Sequence, residues 1–290
     1  MRMGKAPFGL CGFPLGHSLS PAMHRAAFAA LGIEAAYEAY PVAAAAACVA
    51  TIRERGLRGV SVTMPLKEVI IPYLDEVAGE ALAIGAVNTV RNDAGRLVGF
   101  NTDWLGIRAG VEERTSMAGA VVAVLGAGGA ARAAVFAVRA AGGIPVVVNR
   151  DGGRGEALAG AFGCAFVPLG EIGRVEAEGL IHTTPVGMAP NEDASLLGER
   201  ELGRFRWVMD AVYRPPRTRL LTLADRAGCL VVSGLRMFLH QGAGQIRIWT
   251  GLTPPLAVME KALYEGVGLP VPGSGGGEND GKRGEDGPDV

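Results

Sequence analysis

Three stretches of this chain combine residue types that can do chemistry. GVSVTMPLKE (residues 59–68) runs an alternating apolar strand into a proline break and then Lys67. GFNTDW (residues 99–104) ends a second apolar stretch with Asp103. An ammonium can hand a proton to the alkoxide that develops when a ketone is reduced, and can serve as base in reverse once it has lost that proton. A neighbouring carboxylate would orient it. Each residue also has a plainer reading, Lys67 as a solvated surface group and Asp103 as the N-cap of a helix beginning at Trp104. The third stretch is Gly126-Ala127-Gly128-Gly129-Ala130-Ala131, which fits G-x-G-x-x-A. It follows the apolar run AVVAVL (residues 120–125) and opens a helix over Ala130–Ala141. Gly126 permits the tight turn, and Gly128 lets backbone approach a pyrophosphate at the positive end of the helix.

The next strand, Ile144–Val148, ends at Asn149-Arg150, with Arg154 one turn later. An acidic residue there would serve the ribose hydroxyls of NAD, whereas guanidinium groups suit the 2′-phosphate of NADP. Arg150 and Arg154 therefore point to NADP. Asp151 between them cuts against it, and a solvated helix start remains the plainer reading.

The elements that must position these groups alternate. Strands are expected at Phe8–Gly12, Tyr37–Val42 and Val60–Thr63. Helices are expected from Ser20-Pro21 to Gly32, with Ser20 as N-cap, at Ala43–Arg55 and at Lys67–Leu74. Ala86–Arg91 and Arg96–Gly99 form a strand pair around Asn92-Asp93-Ala94-Gly95, and a helix starts near Asp103. Further strands follow at Leu180–His182, Trp207–Asp210 and Leu230–Val232. Strand–helix alternation with short links indicates a parallel α/β sheet. The 290 residues suffice for two modest domains, and 49% hydrophobic against 20% charged residues indicates a soluble globule. A net charge of −1 gives no bias toward nucleic acid or membrane. Cys11, Cys48, Cys164 and Cys229 have neither C-x-x-C nor zinc spacing, as expected of reduced thiols in the cytoplasm. No signal peptide is expected at the N-terminus. His17 and His182 lack a second ligand at metal spacing, so no metal is expected. Residues 270–290 are rich in Gly, Pro and charge and are expected to be a disordered tail.

Six motifs, GFPLGHSLSP (12–21), GVSVTMPLKE, GAVNTV (85–90), GFNTDW, GAGGAARA (126–133) and GLRMFLHQ (234–241), occur together in one order. In this the chain resembles the shikimate dehydrogenases. The resemblance implies NADP-linked, reversible reduction of 3-dehydroshikimate to shikimate, a step of aromatic amino-acid synthesis. It implies a two-domain α/β fold, an N-terminal α/β substrate domain plus a Rossmann-type dinucleotide-binding domain, with the active site in the cleft between them. Residues 1–103 plus 238–269 would form the former and 104–237 the latter. Lys67 and Asp103 would be the catalytic pair. Ser18, Ser20 and Tyr213 would hold the substrate carboxylate, and Thr63, Asn88 and Gln241 the ring hydroxyls. Beyond the glycine loop and Asn149, Arg150 and Arg154, the resemblance places Thr184, Ala211, Gly234 and Met237 at the cofactor. Five positions depart from the family: Ser61 where asparagine is common, Ser233 where asparagine or aspartate is frequent, His182-Thr183 for Asn-Ala, and Asp151 for Thr or Ser. The partners implied are a small molecule, with no nucleic acid or membrane, in a monomer or homodimer. A quinate or dual quinate/shikimate dehydrogenase, linked to NADP or NAD, and a non-catalytic dinucleotide-responsive regulator are the alternatives.

Overall fold

The computed structural model describes residues 6–16 and 18–272. The first half begins β1 (Ala6–Gly12), α1 (Ser20–Ala30), β2 (Ala35–Pro41), α2 (Ala45–Glu54) and β3 (Gly59–Val62). Two short elements, β4 (Glu76–Val77) and α3 (Gly79–Ile84), lead to the hairpin β5 (Thr89–Asp93) and β6 (Arg96–Phe100). Ala94 and Gly95 turn that hairpin at φ 52° and 103°, the left-handed geometry a tight reversal requires. The sheet order is β2-β1-β3-β5-β6-β4. β1 runs parallel to β2 and β3, and β5 runs antiparallel to β3 and β6.

After α4 (Asp103–Glu112) the second half runs β7 (Val121–Leu125), α5 (Gly129–Ala140), β8 (Ile144–Asn149), α6 (Gly152–Phe162), β9 (Ala165–Pro168), β10 (Gly179–His182), α7 (Glu199–Leu202), β11 (Trp207–Asp210), α8 (Arg219–Arg226) and β12 (Leu230–Val232). All six strands are parallel, in the order β12-β11-β10-β7-β8-β9. Alternate residues serve opposite faces. Val122, Val124, Ile181 and Met209 pack with Ala134, Val135 and Val138 of α5. Ala123, Leu125, Leu180 and Val208 pack with Leu220, Leu221 and Ala224 of α8. Burial on both faces is why these strands read as unbroken apolar runs. The strand order reverses between β7 and β10, the switch point where doubly wound sheets open a crevice.

The chain then returns through α9 (Gly234–Thr250) and α10 (Leu256–Gly266). Met237 of α9 belongs to a core of the second sheet, while Leu239, Ala243 and Ile246 belong to a core of the first. α4 crosses α9 so closely that a Cβ at Gly106 would lie 2.4 Å from the Met237 carbonyl oxygen. These two helices form the seam between the sheets. Among the described residues no helix is long and apolar enough to cross a membrane. The four cysteines are free.

Three expectations need correction. The helix over Lys67–Leu74 does not form: residues 67–70 are turns, and only Ile71–Tyr73 makes a 3-10 turn. Pro72 supplies no N–H to continue a helix, and Lys67 faces no helix N-terminus of its own. Ser20 is the first helical residue rather than the N-cap, which is Leu19. The Ser18 hydroxyl accepts the Ser20 N–H at 3.2 Å instead. The helix expected from Trp104 starts at Asp103, with Thr102 at the cap. His17 and residues 273–290, most of the expected tail, lie outside the described residues.

Candidate active site

β3 and the turn after it carry Lys67 to the start of α4. Its Nζ lies 2.6 Å from Asp103 Oδ2, with side chains only 16% and 4% exposed, so water screens the pair weakly. The second carboxylate oxygen accepts Asn88 Nδ2–H at 2.8 Å. Asn88 is itself fixed, its Oδ1 accepting the Thr102 N–H at 2.7 Å and the Thr89 hydroxyl at 2.7 Å. The Asp103 N–H donates to Asn101 Oδ1 at 2.9 Å, and Asn101 Nδ2 donates to the Ala86 carbonyl at 2.9 Å. Asp103 also sits in the first turn of α4, where the helix dipole favours an anion. The carboxylate is thus held at every oxygen, and it holds the ammonium.

On the other side, Lys67 packs against the glycine loop. A Cβ placed on Gly129 would be 3.1 Å from Lys67 Cβ. The lysine of the first sheet therefore lies directly beside the N-terminus of α5 in the second. Gly126 adopts φ 129°, and a Cβ there would collide with Thr183 Oγ1 at 2.4 Å. Gly128, by contrast, faces open space, leaving backbone exposed before the free N–H groups of α5.

A cavity of about 290 Å³ lies between the sheets. From the first half it is lined by Ser18, Ser20, Thr63, Lys67, Asn88 and Asp103. α9 adds Gly234, Met237 and Gln241, and the second sheet adds Ala130, Thr184, Ala211 and Tyr213. Burial pushes the Tyr213 phenol above its ordinary range, with the Ser18 hydroxyl beside it pulling the other way. Serine and tyrosine hydroxyls next to the start of α1 make a donor-rich end suited to an anion.

The remaining expected cofactor residues line the C-terminal edge of the second sheet, outside that cavity. Gly126, Ala127, Gly128 and Gly129 turn β7 into α5, and the Gly126 N–H bonds the Val148 carbonyl of the adjacent β8 at 2.9 Å. Asn149, Arg150 and Arg154 follow at the end of β8. Asn149 Nδ2 donates to the Asp151 carbonyl at 2.9 Å. Asp151 is the N-cap of α6, its Oδ1 accepting the Arg154 N–H at 3.1 Å. Arg150 and Arg154 are exposed, and neither guanidinium bonds another described residue. The open backbone at Gly128, the uncovered start of α5 and two unengaged guanidiniums fit a phosphorylated dinucleotide.

Sequence reasoning missed a hydrogen-bonded chain behind the substrate side. The Tyr37 hydroxyl donates to Ser61 Oγ at 2.6 Å, Ser61 donates to Gln245 Oε1 at 2.8 Å, and Gln245 Nε2 donates to Thr89 Oγ1 at 3.1 Å and the Asn88 carbonyl at 3.2 Å. Ser61 and Gln245 line the cavity. The available signal was helical spacing, since Met237, Gln241 and Gln245 recur every fourth residue on one face of α9.

Comparison with known proteins extends this picture. Residues 10–90 match the model of the shikimate dehydrogenase substrate binding domain, and residues 234–264 that of the shikimate 5′-dehydrogenase C-terminal domain. A shikimate dehydrogenase (NADP(+)) of Methanothermobacter thermautotrophicus is 44% identical over 269 residues, covering 88% of this chain and 94% of that protein. The crystal structure of shikimate 5-dehydrogenase from Thermus thermophilus in complex with NADP(H) and shikimate superposes with a TM-score of 0.82 at 42% identity, covering 90% of this chain and 99% of that one. A quinate dehydrogenase from Corynebacterium glutamicum in complex with NAD reaches the same TM-score of 0.82 at 31% identity, over 91% of this chain and all (100%) of that one. Likeness that runs through both sheets at this level of identity makes the chain a member of the shikimate dehydrogenase family.

Proposed function

We propose that this protein reversibly reduces 3-dehydroshikimate to shikimate with NADP. The observation that carries the reading is the Lys67–Asp103 pair, held at 2.6 Å in the cleft and packed against Gly129 of the dinucleotide loop. NADP, when bound, supplies or takes up the hydride. Lys67 gives a proton to the ketone oxygen as it becomes an alkoxide and takes it back in the oxidative direction. Asp103, anchored by Asn88, keeps the ammonium aimed at that oxygen. Ser18, Ser20 and Tyr213 bind the substrate carboxylate, and Thr63, Asn88 and Gln241 bind the ring hydroxyls. A hydroxyl-rich ring needs such partners, since each buried polar group left unpaired costs about 1–3 kcal/mol.

On the cofactor side, the backbone from Gly126 to Ala130 holds the pyrophosphate. Asn149, Arg150 and Arg154 bind the phosphorylated ribose, and Thr184, Ala211, Gly234 and Met237 enclose the redox end. The substrate domain comprises residues 1–103 and 238–269, and the dinucleotide domain residues 104–237. The later boundary falls within α9, which serves both units. The protein acts in the cytoplasm on a small molecule, as a monomer or homodimer, without nucleic acid. Initial rates with shikimate and quinate, each against NADP and NAD, test the reading. Highest efficiency with shikimate and NADP is expected. Preference for quinate, or no turnover with either acid, would replace it with one of the two alternatives.

A further inference from the structure

β10 ends in His182, a departure from the family that none of the roles above uses. β10 and β11 run parallel with His182 opposite Asp210, and the two side chains are 2% and 0% exposed. The Asp210 carboxylate accepts the Val212 N–H at 3.0 Å and the Thr218 hydroxyl at 2.6 Å. Both of its oxygens therefore act as acceptors. The proton on the 2.8 Å contact between His182 Nδ1 and Asp210 Oδ1 therefore belongs to the imidazole. In the neutral ring that leaves Nε2 a bare acceptor, and it lies 2.5 Å from Thr184 Oγ1. The single Thr184 hydroxyl proton is drawn toward Nε2. Thr184 Oγ1 in turn accepts the Val186 N–H at 3.3 Å. What its hydroxyl retains is one lone pair, and Thr184 lines the cavity that holds Lys67.

We propose that His182, backed by Asp210, is a positioning residue that makes Thr184 an obligate hydrogen-bond acceptor for the nicotinamide riboside half of the bound dinucleotide. The redox end is the part concerned, because the cavity that Thr184 lines is the one containing the proton-donating lysine. The group it receives is a donor, either the carboxamide N–H or a ribose hydroxyl. The inference rests on the dinucleotide reading above.

The test measures the Kd of NADP+ for the full-length protein by calorimetry, in the parent, Thr184→Val, His182→Phe and the double variant. Each single change is expected to weaken binding roughly tenfold, equivalent to about 1.4 kcal/mol, while the KM for shikimate stays at the parent value. Because His182 acts through Thr184, the double variant should bind no worse than the weaker single one. Losses that multiply, or an unchanged Kd in His182→Phe, would overturn the proposal. Should His182→Phe not fold, Thr184→Val decides alone: parent-like binding sinks the idea. The NADP+ analogue carrying acetyl in place of the carboxamide identifies the donor. If Thr184→Val costs nothing with the analogue, the carboxamide is the donor; if the loss persists, a ribose hydroxyl is. A parent protein that binds no NADP+ would refute the dinucleotide reading itself, a result distinct from parent-like binding by the variants.

Discussion

The two halves of the site are built in opposite ways. Around Lys67 the polar groups are buried and already bonded to one another, from Asn101 through Asp103 and Asn88 to Gln245. Around Arg150 they are exposed, and the guanidiniums have no partner among the described residues. The first region is preorganised: its orientation is fixed before substrate arrives, and removing one member strands the others. The second leaves its charges to water and gains its bonds only from the ligand. Changes in the first should therefore cost more, and should appear in turnover, while changes in the second should appear in cofactor discrimination.

The sharpest test of that contrast is Lys67→Ala. It should lower kcat by roughly 10²–10⁴, the usual size of general acid–base catalysis, with much less change in the KM for shikimate. Near-normal turnover in the folded variant would end the assignment. Arg150→Ala should leave kcat with saturating NADP nearly intact, yet remove about tenfold to hundredfold of the preference for NADP over NAD, as expected for one charge-assisted bond of about 1.5–3 kcal/mol. The ratio of kcat/KM values for the two cofactors reads this directly. No change would mean that the end of β8 does not meet the 2′-phosphate.

Ser18→Ala and Ser20→Ala separate binding from folding within the buried half. Each should raise the KM for shikimate about tenfold or more through loss of a bond to a carboxylate. Only Ser18→Ala should also lower Tm, because the Ser18 hydroxyl accepts the N–H of Ser20, the first residue of α1, a bond worth about 1 kcal/mol. If instead Ser20→Ala is the less stable variant, that arrangement is wrong.

Acid should weaken the first half by a route of its own. Burial lowers the His24 pKa from 6.5 to about 4, against the opposing pull of the Ser20 carbonyl. Its ring stacks on Tyr37 at 4.4 Å and sits 5.4 Å from Trp249. The folded state thus binds fewer protons than the unfolded one between these values. The stabilisation is complete above pH 6.5 and is lost as pH falls toward 4, by about 1.4 kcal/mol per pH unit. Thermal melts followed by tryptophan fluorescence should show Tm falling over this window in the parent and falling less steeply in His24→Phe. Parallel slopes would exclude His24 as the source. The smallest effect is expected for Asp151→Thr. The carboxylate caps α6 and is exposed, so salt screens its repulsion of a phosphate; replacing it should enlarge the NADP preference by only about severalfold. A reduced preference would show that Asp151 helps rather than hinders.

Legibility in the sequence followed the range of the interactions. The glycine loop was readable because its strand, turn and helix are contiguous, and the apolar run AVVAVL advertises a strand buried on both faces. Lys67 and Asp103 were readable as members of local motifs, and their partnership came from the family resemblance rather than from anything local, since 36 residues separate them. The helix expected over Lys67–Leu74 failed on Pro72, a local signal that was present in the sequence. Ser20-Pro21 carried the signature of a helix start and placed it within one residue, yet the hydroxyl that meets the first helical N–H comes from two residues earlier. The chain from Tyr37 through Ser61 to Gln245 had no local signature. Ser61 and Gln245 are 184 residues apart, and only the return of α9 to the first sheet makes them neighbours.

The crossing of α4 and α9 behaves as a spacer of zero thickness. At Gly106 the helices touch backbone to backbone, and the turn of α9 they share carries Met237 and Gln241, both facing the cavity. Any side chain at position 106 must push that turn outward, since even a methyl carbon there would lie 2.4 Å from one carbonyl oxygen and 3.0 Å from the Gln241 Cβ. A wedge at this seam would displace two cavity-lining side chains from a position outside the cavity. The placing of that turn in the cavity wall therefore depends on the missing side chain of a glycine that does not itself line the cavity.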